Sequence, residues 1–579
     1  MLRPEVRAAL DEVSLDHAWS LIERFSRLER EHPKDVATAA AEIVSRLERL
    51  GVPVTVHQPE LFLSLPASAT VSVGAGELPA KPMAMSRPTT GLTAPLLYIP
   101  NIHNPSLEEM FRRPDPSSLD REVRGRIVIT EGFGMPGKVA HYEALGAVGL
   151  VTVNPGWNAH WGISSTIWGS PDLYDLPRKP RIPVVSVNHA NGHHLIAAAG
   201  RREVGSIAAA LDEGWFVSPV PVVRVPGTEE PESFVLVHGH YDAWRVGVGD
   251  NAVGDATLLE LARVLWSRRS ELRRSVWIAW WPGHSTGRYA GSTWFADHYA
   301  IELYERCIAQ VNCDSPGCRW ATEYLDVAWM PEAERFAQRI IKAIAGKDAR
   351  GERPFQAGDY SFNNIGISSY FMLLSTMSPE DRKARGYYAV GGCGGNIAWH
   401  TEEDTLEIAD REVLRTDIKI YLASVMETAN ATVAPFDFSL TLDDLERTLA
   451  SYQRAAGAVF SFEPARTAHS ALRAAVTRLA QQAEALGERP ATDPAIARVN
   501  WALRRLARHL VPVNFTTRPA FFHDEAEQIP PLPDLAPALE IPMATADRLG
   551  FIRTHLTRGQ NRLVAALREA ARDVEQVLP

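Results

Sequence analysis

Between residues 216 and 435, short apolar runs alternate with amphipathic segments, and this alternation constrains the fold more than any other feature. SFVLVHGHYD, SVWIAWW, CIAQVNCDS and ISSYFMLL read as buried strands. Between them DATLLELARVLWSRR, GSTWFADHYAIELY and ERFAQRIIKAIAG read as helices. Strands that alternate with helices in this way build a parallel or mostly parallel sheet covered on its faces. In such sheets ligands bind beyond the carboxyl ends of the strands. The search for function therefore begins with the residues at those ends.

The flanks differ in texture. Residues 1–50 read as helix, and VATAAAEIVSRLERLG ends on Gly51, a plausible C-cap. A β-rich stretch, VPVTVHQPELFLSLP, follows. From about 85 to 215 the chain is punctuated by Pro and Gly, with strand-like GRIVITEGF, helix-then-strand KVAHYEALGAVGLVTVNP and strand-then-helix RIPVVSVNHANGHHLIAAAG. It reads as a small α/β module inserted into a larger domain. From about 436 onward the pattern is helical, interrupted by IPPLPDLAPALEIP. That much apolar helix face suits an oligomer contact or a docked cap. The expected division is 1–85 with 216–435, an insertion at 86–215 and a helical module at 436–579.

A chain of 579 residues is too long for one core, and 45% hydrophobic with 22% charged residues is ordinary for a folded protein. The net charge of -10 and the absence of a basic stripe argue against nucleic acid. Four cysteines (Cys307, Cys313, Cys318, Cys393) are too few for a disulfide scaffold and form no C-x-x-C pair, so they read as reduced, structural thiols. The opening MLRPEVRAALDEVSLDHAW lacks a signal-type hydrophobic run, and no stretch nears the roughly 18 to 20 apolar residues that span a bilayer. The expectation is a cytoplasmic protein with no membrane partner.

The richest chemistry lies in VLVHGHYDAWRVGVGDNAVGDA. A buried strand ends in His240-Tyr241-Asp242, and a glycine-bearing loop leads to Asp250. Imidazole and carboxylate are ligand types for zinc-like ions. Asp242, two residues from His240 on the same strand face, is placed for its carboxylate to orient the imidazole. VNCDSPG adds Asp314 at a strand end, WHTEEDT adds His400 after a glycine-rich stretch, and GDYSFNNIG adds Asp359 in a loop. His240, Asp250, Asp314 and His400 are thus candidate metal ligands. Trp244 and Trp399 flank ligands and, with Asp359 and Glu403, are candidates to line a substrate pocket. Packing is the simpler role for His238, and surface exposure for His141, His160, His193 and His194.

On these motifs the chain resembles the co-catalytic zinc aminopeptidases, in the branch that holds glutamate carboxypeptidase and the transferrin receptor. GRIVITEGF and EALGAVGLVTV are similar to the protease-associated domain which that branch carries as an insertion. The resemblance implies a zinc-aminopeptidase-like α/β fold, a mixed sheet flanked by helices, with that insertion and a C-terminal helical domain through which homodimers form. It also implies ligand roles: His240 and Asp314 on one metal, His400 on the other, and Asp250 bridging.

One departure matters. Where the family has two adjacent glutamates, a general base and a metal ligand, this chain reads W-P-G-H-S-T-G-R-Y-A-G-S. His284 takes the base position and Ser285 the ligand position, with one extra residue before Gly291-Ser292. Serine is a poor zinc ligand. Either His284 replaces the lost donor beside Asp250 and His400, or the site holds one metal with His284 as base; an imidazole titrating near neutrality can remove a proton. The expected cofactor is a divalent metal, zinc first, one or two per chain. The expected function is metal-dependent hydrolysis of an amide or peptide-type bond in a small-molecule or peptide substrate, through metal-activated water, with His284 and Asp242 as catalytic residues. Two alternatives stand: a metalloenzyme of another class, such as a lyase, and a non-catalytic binding protein like the transferrin receptor.

Overall fold

The computed structural model describes residues 2–579 except 104, 105, 107–109, 111–113, 116, 488, 490 and 491. After three N-terminal helices (Pro4–Asp11, Asp16–Phe25, Pro33–Arg49), the short strand β1 (Thr55–His57) opens the larger sheet. Seven strands follow: β2 (Glu60–Val73), β3 (Gly76–Pro82), β4 (Thr89–Tyr98), β5 (Ile127–Glu131), β6 (Gly149–Val153), β7 (Val184–Val187) and β8 (Val204–Val217). They close into a barrel in the order β2-β3-β7-β6-β5-β4-β8. The barrel encloses a small core of its own around Val71, Ile127, Val151, Val185 and Ile207.

This barrel starts earlier than the expected boundary at residue 86. β2 pairs with β8 from Glu60 opposite Val217 to Val73 opposite Gly205, so residues 60–82 belong to it. A long hairpin-like pairing between strands far apart in sequence leaves no mark on either strand's own pattern.

The chain then returns to the larger sheet with β9 (Val220–Val225), β10 (Glu230–His240), β11 (Arg274–Trp281) and β12 (Cys307–Asn312). Their order is β1-β9-β11-β10-β12. β10 runs parallel to β11 and β12, whereas β9 is antiparallel to β11 and β1 to β9. The sheet is therefore mixed, and β10 lies at the middle of its parallel part. β11 is buried at every residue, as expected of a strand covered on both faces. ISSYFMLL does not become a regular strand. It contributes isolated pairings, Gln310 with Ser369 and Asp314 with Leu373, and a left-handed Phe371 (φ 61°) breaks its extended run.

Four helices, Phe438–Ala456, Glu463–Leu486, Pro494–Phe515 and Ala546–Glu575, form the C-terminal part, with the Pro-rich segment wound as a 3₁₀ run over Pro533–Met543. Their apolar faces join the N-terminal helices and one face of the sheet in a single core. Buried Arg508 anchors them, donating to the carbonyls of Leu303, Cys307 and Gly366 at 2.9, 2.6 and 2.7 Å. All four cysteines are buried and free.

Candidate metal centre

Strand register assembles the centre. His238 on β10 lies opposite Asn312 on β12 in parallel register. Two residues further along each strand, His240 and Asp314 emerge side by side on the same face, with Nε2 and Oδ2 3.6 Å apart. On the other flank His240 lies opposite Trp281 at the end of β11. Gly283, at φ 69°, turns the chain there, and a short helix starts at His284. The imidazoles of His284 and His240 stack, 3.6 Å between centroids. The loop after β10 brings Asp250 back, with Oδ1 3.0 Å from His240 Nε2 and Oδ2 3.1 Å from His400 Nε2. All four expected ligands thus converge. His284 joins the half of the centre that holds His240 and Asp314, the nitrogen and oxygen donors of these three lying within 4.8 Å of one another. That differs from the expected grouping of His284 with Asp250 and His400.

The three histidines share one device. Each uses Nδ1 toward an oxygen: His240 toward the Asp242 carbonyl at 2.9 Å, His284 toward Asp359 Oδ2 at 2.7 Å, and His400 toward the Trp161 carbonyl at 3.0 Å. A carbonyl only accepts, so Nδ1 of His240 and of His400 carries a proton and Nε2 is the nitrogen that faces the centre. Asp242 supports His240 with its backbone, which corrects the expected carboxylate contact. Its carboxylate instead accepts the amides of His284 and Ser285 at 3.0 and 2.9 Å. It caps the turn that carries His284, because the two amides at that helix start need an acceptor.

Supports that no motif announced hold the Asp250 loop. Asp404 accepts the amides of Gly249 and Asp250 at 2.6 and 3.0 Å, and burial pushes its carboxyl up to about 7. Arg30, fully buried, donates to the carbonyls of Tyr241, Val246 and Gly247 at 2.7, 2.7 and 3.0 Å.

The donor set fits a divalent cation. Burial would raise the Asp250 carboxyl, yet the imidazoles of His240 and His400 facing it hold it well below the usual carboxylate range. Burial would lower the His240 imidazole, yet Asp250 and Asp314 facing it hold it well above its ordinary value. His240 Nε2 and Asp250 Oδ1 are buried and make no hydrogen bond, although they lie 3.0 Å apart. Carboxylates withdrawn from water with such orphaned donor atoms call for a positive charge between them. A catalytic zinc takes three protein ligands, and His240, Asp250 and Asp314 supply three N and O donors of the right type.

The centre opens into a cleft. Asp250, His284, Asp314, Trp399 and His400 line one side; Met83, Phe133, Met135, His160 and Trp161 of the barrel line the other. Trp399 stacks on His400 at 3.7 Å between centroids. The other pocket candidates fall elsewhere. Trp244 is buried behind His400 and stacks on Trp161. Asp359 is fully buried and serves His284; burial would raise its carboxyl, but His284 beside it holds it below the usual range. Glu403 points to solvent, because the turn after His400 directs Asp404 inward instead.

His160 is buried, against the expectation of a surface residue. Its ring contacts the Trp399 carbonyl at 2.6 Å and the Tyr388 hydroxyl at 2.7 Å, and burial pushes its pKa down to about 3. His238 packs as expected, its Nε2 2.8 Å from Gln310 Oε1.

The geometry can be set against known proteins. The family model for peptidase family M28 matches residues 222–425, the segment that carries every strand-end ligand. That segment is thus similar to peptidase family M28. The segment and the parts around it are similar to the probable glutamate carboxypeptidase VP8 of Zea mays, 22% identical over 71% of this chain and 66% of that protein. The chain thus spans just under two thirds of the maize relative. It is also similar to aminopeptidase YwaD of Bacillus subtilis, 24% identical over 72% of this chain and 86% of that one. Among solved structures, a peptidase M28 precursor from Shewanella amazonensis shares the fold, with a TM-score of 0.56 and 16% identity over 74% of this chain and 97% of that one.

Proposed function

We propose that this protein is a metal-dependent hydrolase that cleaves an amide or peptide-type bond in a small substrate, with one metal per chain and His284 as general base. The observation that carries the reading is the His284–Asp359 contact beside the ligands, 2.7 Å long and buried. Asp359 is itself held by the Ser292 hydroxyl at 2.6 Å. An ionised Asp359 fixes the proton on Nδ1 and leaves Nε2 free to accept another.

His240, Asp250 and Asp314 would hold a divalent metal, which would supply Lewis acidity and a water of lowered pKa. His284 accepts the proton that the attacking water loses and returns it to the departing amine. Asp359 stabilises the imidazolium formed between these two transfers. The barrel and Trp399 wall the cleft from bulk water and offer an apolar surface to the substrate. One metal is favoured because His400 and Asp250 alone offer two protein ligands on the second side, where Ser285 stands.

A second reading, His284 as a ligand, is favoured by its grouping with His240 and Asp314. His284→Ala separates the two when metal content and turnover are measured together on a panel of aminoacyl and N-acyl amides. Retained metal with lost turnover supports the base; lost metal supports the ligand. No turnover by the metal-loaded wild type on any amide would sink the hydrolase reading. Homodimerisation through the C-terminal helices belongs to the same proposal. Exposed Leu539, Met543 and Phe551 lie on that part, and light scattering tests it.

A further inference from the structure

The cleft contains a buried cation that the hydrolytic reading leaves unused. Arg288 follows the short helix that starts at His284, and it lines the same cleft as His284, Asp314 and His400. Only 5% of it is exposed. Its Nε and Nη2 are buried and make no hydrogen bond, and it enters no ion pair among the described residues. Among the described residues its compensating neighbour is the Tyr289 ring, 5.1 Å from the guanidinium carbon. Burial lowers its pKa, and no carboxylate contributes to holding it up. Asp359, fully buried and outside the cleft lining, is already occupied by His284 and Ser292.

An unpaired guanidinium out of water is costly, and proteins keep one where a ligand completes it. Nε and Nη2 form one edge of the guanidinium, the edge that pairs with both oxygens of a carboxylate. Both Arg288 and Tyr289 adopt left-handed backbone conformations (φ 50° and 69°), uncommon for residues other than glycine, and the Arg288 carbonyl is pinned by the Gly169 amide at 2.6 Å. The surrounding walls are apolar and aromatic: Phe133, Met135, Tyr289, Phe355 and Met372.

We infer that Arg288 receives a carboxylate of the substrate, so that the preferred substrates are acids whose carboxylate sits next to an apolar or aromatic group. This rests on the proposed function only in taking the cleft as the substrate site. The test is calorimetric binding of 3-phenylpropionate and of 3-phenylpropionamide to the metal-loaded protein. Neither compound needs turnover, so the result stands apart from whether amides are hydrolysed. The acid is expected to bind at least ~10-fold more tightly than the amide, the scale of a charge-assisted hydrogen-bonded pair. Arg288→Gln is expected to abolish that preference with metal content unchanged, and Arg288→Lys to restore part of it. Equal binding of acid and amide by the wild type, or no binding of the acid, overturns the inference. So does a preference that survives in both variants, which would place the carboxylate on the metal instead.

Discussion

His240 and His400 are the same residue at the same centre, oriented by the same kind of bond, yet their supports differ in origin. His240 ends a buried strand, and its Nδ1 partner is a carbonyl two residues along the chain. Asp314, which faces it, follows the end of the neighbouring strand of the same sheet by two residues. His400 lies on a loop in a left-handed conformation (φ 57°). Its Nδ1 partner is Trp161 of the barrel, 239 residues away, and the Trp161 amide returns a bond to the His400 carbonyl at 3.0 Å. Lys81 of the barrel adds a 2.7 Å ion pair to Glu402 and lies over the Trp161 ring. A ligand at a strand end is placed by the sheet itself. A side chain on a loop has to be held by a second unit docked against it.

That difference predicts a graded response. His240→Ala should remove the bound metal and lower turnover by more than ~10³-fold, because the Lewis acid goes with it; elemental analysis and kcat check this, and retained metal would break the comparison at its stronger end. His284→Ala should keep the metal and lower kcat by about 10²- to 10⁴-fold, the range for loss of a general base. Asp359→Asn should lower kcat by at least ~10-fold at unchanged KM, since the amide no longer stabilises the imidazolium. Trp161→Ala, which removes the ring packed against Trp244 and under Lys81 but keeps the backbone carbonyl that His400 uses, should lower kcat by roughly 2- to 10-fold with metal content unchanged. A loss as large as that of His240→Ala would mean that the docked barrel holds the centre as firmly as the sheet does. Glu403→Gln, on the exposed turn beside His400, should leave kcat/KM within about twofold.

Part of this centre was legible before any coordinate. A buried parallel strand is a continuous apolar run, so the ends of β10 and β12 could be located from composition alone, with His240 and Asp314 on them. The substitution of His284 and Ser285 for a glutamate pair could be read from the spacing between the WIAWW run and Gly291-Ser292. Other parts left no local trace. Asp242 has the spacing of a carboxylate that orients His240, but a free pair of amides at the next turn competes for it and wins. Arg288 looks like any surface arginine in the sequence, and Glu403 like any acid next to a ligand.

The sequence by itself determined the α/β alternation, the strand ends, the candidate ligand types and the presence of His284-Ser285 after the WIAWW run. These follow from patterns within one segment, where burial and side-chain direction repeat every two residues or every three to four. Only the tertiary structure decided which side of the centre His284 joins, that residues 60–82 belong to the barrel, that His160 is buried and that Trp161 holds His400. Those outcomes depend on how surfaces far apart in the chain fit together. Docking of that kind is selected by shape and by unmet hydrogen-bonding groups, and no periodicity within a segment records it.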